Sequence, residues 1–134
     1  MRANRLQLNT SKTDLLWCST ARRQHQLPST ALRVSDDFVR PSTSVRDLGI
    51  YHDADLSMRE RVQRTVAGCF AALRKLRSIR RSIPTPVYQT FVVALVLSRL
   101  DYGNEMLAGI LSQLCCHFHA VLNASARSVS GLRR

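Results

Sequence analysis

The hydrophobic pattern changes character near residue 55, where short apolar runs give way to a helical repeat. In the first part, runs bounded by turn-forming residues are typical of β-strands. Residues 15–19 form one such run, and residues 31–40 predict a hairpin around the turn-forming residues 35–37. Residues 45–51 predict another strand, in which Gly49 indicates a bulge or a close approach of two backbones.

Beyond Ser57 the apolar residues repeat with a period of 3.6. Ser57 and Glu60 have the spacing of a capping box, in which each side chain satisfies an amide at the start of a helix. An amphipathic helix is therefore predicted from here to about Ile83, ahead of Pro84. Its apolar stripe consists of Val62, Val66, Cys69, Leu73 and Leu76.

A second helix is predicted immediately after Pro84. Thr85 has the character of an N-cap, and Pro86 suits the first helical position because its fixed φ is already helical. Residues 87–100 are apolar nearly all round, so we expect this helix to be central and buried. Gly103 and Gly109 then mark a break in helical structure.

The last helix is predicted to begin near Ser112. Its apolar side contains Leu114, Phe118, Val129 and either Val121 or Leu122. Together these patterns predict an α+β chain, with short antiparallel strands over residues 1–55 followed by a helical bundle over residues 56–134.

The charge of the chain points to a polyanionic partner. Its 134 residues include 20 Lys and Arg against 9 Asp and Glu, a net charge of +11. A hydrophobic fraction of 45% argues against a disordered basic tail. No apolar run approaches the ~20 residues that a membrane span needs, so we expect no membrane partner. Nucleic acid is the first expectation, since arginine, which dominates here, suits phosphate recognition.

The cysteines suggest a reducing environment. Cys18, Cys69, Cys115 and Cys116 are scattered or adjacent, and they outline no disulfide framework. A secretory signal pattern is also lacking. We therefore expect an intracellular protein, in the nucleus or the cytoplasm.

No self-contained active site emerges from the motifs. Residues 115–119, CCHFH, resemble metal ligands, but on a helix only Cys115 and His119 share a face and a second ligand pair is missing. Helix packing explains them better than zinc does. Asp36 and Asp37 resemble a two-metal pair, yet no third carboxylate is identifiable, so a solvated turn is expected.

Four segments, in order, resemble the reverse transcriptases of non-LTR (LINE-type) retrotransposons. Residues 4–16, NRLQLNTSKTDLL, are similar to the N-x-L-x-L-N-x-x-K-T-E/D stretch of that family. Residues 45–53, VRDLGIYHD, resemble its Y-L-G-V-x-x-D segment. Residues 97–104, LSRLDYGN, and 122–129, LNASARSV, resemble the S-x-L-x-Y-x-N/G helix end and the closing Q-N-x-A-A-R-x-V helix.

The resemblance implies the end of a polymerase palm followed by a helical thumb. In the family, the fingers, the first metal-binding aspartate and the Tyr-x-Asp-Asp motif would all precede Met1. The implied parent reaction is RNA-templated DNA synthesis from deoxynucleoside triphosphates with two Mg²⁺ ions. We therefore expect a nucleic-acid-binding piece that is not catalytic alone, holds no cofactor itself and lacks its N-terminal polymerase part.

Site residues follow from the matched positions. The resemblance implies that Lys12 lies near the phosphates of the incoming nucleotide, where a cation stabilises the leaving group. It also implies a loop beside the primer end, formed by Leu48, Gly49 and Ile50. A group of arginines would track the template–primer duplex, and its members are Arg74, Arg77, Arg80 and Arg81.

Two alternatives stay open at this point. The four arginines are also compatible with a merely solvated helix face. The whole chain is also compatible with a small basic module, without polymerase ancestry, that binds RNA or an acidic protein.

Overall fold

The computed structural model describes residues 9–34 and 37–131. The chain divides into two compact units, the first ending at Ser57 and the second beginning at Met58. The described strands lie in the first unit and the α-helices in the second, so the fold is α+β, as the sequence pattern predicts.

The strands of the first unit are short and pair two by two. The strand bounds are β1 Leu15–Leu16, β2 Leu32–Val34, β3 Asp37–Val39, β4 Pro41–Ser42, β5 Ser44–Asp47 and β6 Ile50–Asp53. β2 and β3 form the hairpin expected within residues 31–40, with Leu32 opposite Val39. Its turn residues Ser35 and Asp36 lie outside the described residues. β1 pairs with β4 in parallel, which departs from the expectation of antiparallel strands.

The prediction of a single strand over residues 45–51 is wrong. The chain reverses at Leu48 and Gly49, so that β5 and β6 form an antiparallel hairpin with Asp47 opposite Ile50. Both turn residues have positive φ, 46° at Leu48 and 85° at Gly49. Positive φ at both central positions is the geometry of a type I′ turn, which matches the twist of the flanking strands. Gly49 therefore serves a tight turn and not a bulge.

One side chain ties the polar loop of this unit to the end of β6. The loop contains a 3₁₀ helix, Ala21–Gln26. The half-buried Gln24 donates from its Nε2 to the carbonyl oxygens of Ser19 and Ala54, at 2.8 Å each. The Ser19 amide also donates to the Ala54 oxygen at 3.0 Å. These bonds satisfy carbonyls that a loop without regular structure would leave unpaired.

Helix α1, Arg59–Ile79, opens the second unit. Four members of the predicted stripe are buried and Val66 is half-buried, so the predicted amphipathic face is confirmed. The helix ends at Ile79 and not near Ile83, because the chain turns at residues 80–82 before Pro84.

The predicted capping box does not form. The N-cap of α1 is Met58, whose φ is 58°, and no side chain caps the helix. Ser57 is held by aspartates instead, since its Oγ donates to Asp53 Oδ2 at 3.1 Å and its amide to Asp55 Oδ1 at 3.0 Å. Glu60 forms an i,i+4 ion pair with Arg64, with 2.5 Å between Oε1 and Nε.

The second helical stretch runs without a break through residues 85–101. It consists of α2, Thr85–Val92, a π-helical turn, Val93–Leu97, and α3, Ser98–Asp101. Pro84 is its N-cap, which places Thr85 and Pro86 one position later than predicted.

The expectation that this stretch is buried all round is wrong. One face, formed by Tyr88, Val92, Val96 and Leu100, lies in the core. The other face is open, and Val93 keeps 55% of its surface exposed. Val87, Phe91 and Leu95 are also exposed. Helix α1 and the C-terminal helix do not cover this stretch on all sides, so a uniformly apolar sequence leaves part of its surface exposed.

Helix α4, Ser112–Ser130, begins where the sequence predicts. It follows a 3₁₀ turn, Asn104–Leu107, between Gly103 and Gly109, which both have positive φ. Of the two candidates for its apolar side, Val121 is buried at 0% exposure and Leu122 is 44% exposed. Val121 is therefore the residue of α4 that faces the core at this position.

The four cysteine thiols should differ sharply in reactivity. Cys69 is fully buried and its Sγ donates to the Val96 carbonyl oxygen at 3.7 Å. Burial raises the pKa of this thiol, and the smaller influence of Arg99 opposes that shift. Since the thiolate is the nucleophile, we expect Cys69 to react with a disulfide reagent only as the helical unit unfolds.

Exposed Cys18 and Cys116 provide the internal control and should react in the native state. The measurement is the rate of labelling at each cysteine by mass spectrometry across a urea series. Labelling of Cys69 as fast as that of Cys116 in native buffer would contradict this burial.

The turn between β5 and β6 should be open to stabilisation. A leucine at φ 46° is strained, because its Cβ crowds the backbone. Asparagine tolerates that conformation, and Asn-Gly is the preferred type I′ pair. We expect Leu48→Asn to stabilise the hairpin by ~1 kcal/mol, seen as roughly fivefold slower hydrogen exchange of the β5–β6 amides. Leu48→Ala is the matched control, because it also removes the exposed side chain but keeps the strain, and it should bring no such gain.

Candidate nucleic-acid interface

A cleft of about 840 Å³ lies between the C-terminal halves of α1 and α4. On one wall, Arg77 lies in the last turn of α1 and Arg81 in the turn that follows the helix, and both are exposed. On α4, Asn123 and Arg127 are one helical turn apart and line the opposite wall. We call this feature the α1–α4 cleft, and its lining includes Phe70, Arg77, Arg80, Arg81, Asn123 and Arg127.

Among the described residues that line this cleft, none carries a carboxylate. Neither residues 61–100 nor residues 106–134 contain any Asp or Glu, so both helices are free of acids over the length that borders the cleft. Arg77 and Arg127 lie in the last turns of their helices, where the partial negative charge of the helix end favours a cation. That effect is modest, and the cleft retains a positive potential suited to phosphate groups.

Arg80 differs from its neighbours because it is engaged within the fold. Its Nη2 donates to Thr85 Oγ1 at 3.2 Å, and its guanidinium carbon lies 4.7 Å from the centroid of the Tyr88 ring. Tyr88 is fully buried and its hydroxyl is hydrogen-bonded to the Ser128 hydroxyl on α4. Arg80, Tyr88 and Ser128 thus connect the end of α1, through α2, to α4, and they set the spacing of the two walls.

The four arginines predicted as one group are therefore divided by the structure. Arg77, Arg80 and Arg81 come together at the cleft, whereas Arg74 is exposed on α1 and does not line it. Of the four, only Arg77 and Arg81 combine exposure with a place in the cleft.

The other predicted site residues belong to the first unit. Lys12 is exposed at the end of a 3₁₀ turn, Thr10–Lys12, and its amide donates to the Asn9 oxygen at 3.0 Å. Leu48 and Gly49 form the β5–β6 turn, and Leu48 is 83% exposed. Ile50 is the half-buried first residue of β6.

The described residues do not assemble a metal site. Within residues 9–34 and 37–131, no three His, Cys, Asp or Glu side chains are grouped so that they could hold an ion. Asp37 is exposed at the start of β3, and Asp36 is outside the described residues. The donor set in this part of the chain therefore does not fit the Mg²⁺ pair of a polymerase.

Comparison with protein-family models, with curated proteins and with solved structures gives no match for this chain. Among the helices that the structure describes, none has both the length and the hydropathy of a bilayer-crossing segment.

Sequence reasoning missed three residues of the cleft, namely Phe70, Asn123 and Arg127. Asn123 and Arg127 fall within the segment that resembles the closing helix of the family, which is the one signal that marks them. Phe70 is seven residues before Arg77, two helical turns along the same flank of α1, and that spacing could have identified it.

We expect substitution of Arg80 to lower the free energy of unfolding more than substitution of Arg77 does. We expect Arg80→Gln to lower the free energy of unfolding by about 1–2 kcal/mol, because it removes the contact with the Tyr88 ring and a hydrogen bond from a charged donor. Arg77→Gln makes the same change of charge at an exposed position and should stay within about 0.5 kcal/mol of the unsubstituted chain. Chemical denaturation followed by circular dichroism measures both. Equal effects of the two substitutions would show that Arg80 does not brace the cleft.

Proposed function

We propose that this chain is the palm end and helical thumb of a non-LTR retrotransposon reverse transcriptase, and that it contributes nucleic-acid binding. The observation that carries the binding proposal is the α1–α4 cleft, with arginines on both walls and no carboxylate. Support for the ancestry comes from the four family-like segments in order.

Phosphate binding is the chemistry that suits this cleft best. Arg77 and Arg81 on one wall face Arg127 on the other, so a strand of phosphates can be contacted from two sides. Arginine offers a planar fork of donors that matches phosphate oxygens. The net charge of +11 adds long-range attraction, which raises the rate of encounter with a polyanion.

The first unit contributes two further contacts under this proposal. Lys12 is exposed and would neutralise phosphates of the incoming nucleotide. The strained turn at Leu48 and Gly49 would lie beside the primer end. Backbone strain at an exposed tip is a feature often found at functional positions.

Chemistry is assigned to the parent enzyme and not to these residues. The family reaction requires Mg²⁺, and the described donor set does not fit it. Under this proposal the contribution of this chain is to hold the template–primer.

Binding should depend on the arginines of the cleft and on salt. With a fluorescein-labelled RNA–DNA hybrid, we expect the plot of log binding constant against log salt to flatten when Arg77→Gln and Arg81→Gln are combined. The slope falls by ~0.9 for every phosphate that the protein no longer neutralises. Fluorescence anisotropy between 50 and 200 mM salt gives the slope.

The combination of Arg22→Gln and Arg23→Gln is the matched control, since it removes the same charge from an exposed 3₁₀ helix of the first unit. An equal loss in this control would mean that net charge alone drives binding. Failure of the unsubstituted chain to bind the hybrid at all would overturn the proposal and favour the alternative of a protein-binding module.

A further inference from the structure

The α1–α4 cleft contains an aromatic ring that phosphate binding does not require. Phe70 lines the cleft with 37% of its surface exposed, in a unit whose core is otherwise able to bury rings such as Tyr88. Its ring is a planar, apolar surface beside guanidinium groups, on which a planar partner can stack. The combination of an aromatic ring and a basic groove is the arrangement that accepts unpaired bases.

The spacing along α1 separates the ring from the cations. Arg77 follows Phe70 by seven residues, which corresponds to ~10 Å along the helix axis, and Arg81 lies in the turn after the helix. A base stacked on Phe70 would therefore leave its neighbouring phosphates within reach of arginine side chains farther along the helix. The arrangement suits a short stretch of strand running along α1.

The concave shape favours an unpaired strand over a duplex. In a duplex the faces of the bases are covered by their neighbours, so Phe70 would meet only sugar and phosphate. A cleft of about 840 Å³ is in the size range of pockets that enclose a small-molecule ligand, and so has room for an unstacked nucleotide. Asn123, on the opposite wall, supplies an amide that can both donate to and accept from the edge of a base.

We propose that the α1–α4 cleft holds an unpaired nucleotide, with its base stacked on Phe70 and its flanking phosphates on Arg77, Arg81 and Arg127. This inference rests on the proposed nucleic-acid binding and adds an unpaired nucleotide to it, while the same arginines also contact phosphates of a bound hybrid.

The test compares a ten-nucleotide single-stranded oligothymidine, an abasic strand of the same length and an RNA–DNA hybrid, each with the full chain. We expect Phe70→Leu, which keeps an apolar side chain, to weaken binding of the oligothymidine at least fivefold. Its affinity for the abasic strand and for the hybrid should change less than twofold. Phe70→Trp should retain or strengthen oligothymidine binding, because the larger ring still stacks.

The outcomes separate this inference from the binding proposal. Hybrid binding that depends on Arg77 and Arg81, together with unchanged oligothymidine binding in Phe70→Leu, overturns only the stacking at Phe70. Equal weakening for all three ligands also overturns it, since stacking on Phe70 predicts a loss confined to the strand that carries bases. Equal binding of the abasic strand and the oligothymidine by the unsubstituted chain overturns it without any substitution. If the chain binds none of the three ligands, the proposed function is overturned as well.

Discussion

The helical unit depends on the burial of one tyrosine. Tyr88 is fully enclosed, so its hydroxyl must find a partner inside the protein, and it does so at Ser128 on α4. Its ring also faces the guanidinium of Arg80 at the end of α1. One side chain of α2 thereby fixes the position of both other long helices. The width of the α1–α4 cleft follows from this arrangement, which makes the site a consequence of core packing.

Periodicity predicted the helices well because burial of one face is a property of the helix itself. The stripe of α1 and the start of α4 needed no knowledge of their neighbours. The choice between Val121 and Leu122 did need it, because both are apolar and only packing against α1 and α2 selects one. The same limit explains why α2 was expected to be buried all round. An apolar sequence indicates burial, but it does not show how many neighbouring helices are present to cover the helix.

The predictions at Ser57 and at the β5–β6 turn were wrong for local reasons, whereas the cleft depends on a contact between distant segments. Ser57 could cap α1 or bind the aspartates before it, and Asp53 and Asp55 are the partners it binds. Leu48 carries no signal for a turn, because positive φ is disfavoured for leucine, so the β5–β6 hairpin could not be predicted. At the cleft, Arg77 and Arg81 could be identified from the helical pattern predicted up to Ile83. Arg127 faces them through a contact between distant segments that no local pattern encodes.

The exposed apolar residues of α2 and of the π-helical turn have a consequence for the behaviour of the molecule in solution. Val87, Phe91, Val93 and Leu95 expose apolar area that can associate with similar area, including that of another copy. Mutual repulsion between chains of charge +11 opposes such adhesion. Dissolved salt screens this repulsion, as it screens attraction to phosphates. A salt concentration high enough to release bound nucleic acid will therefore also promote association between copies. Removal of the ligand and dispersion of the protein require opposite salt conditions during purification.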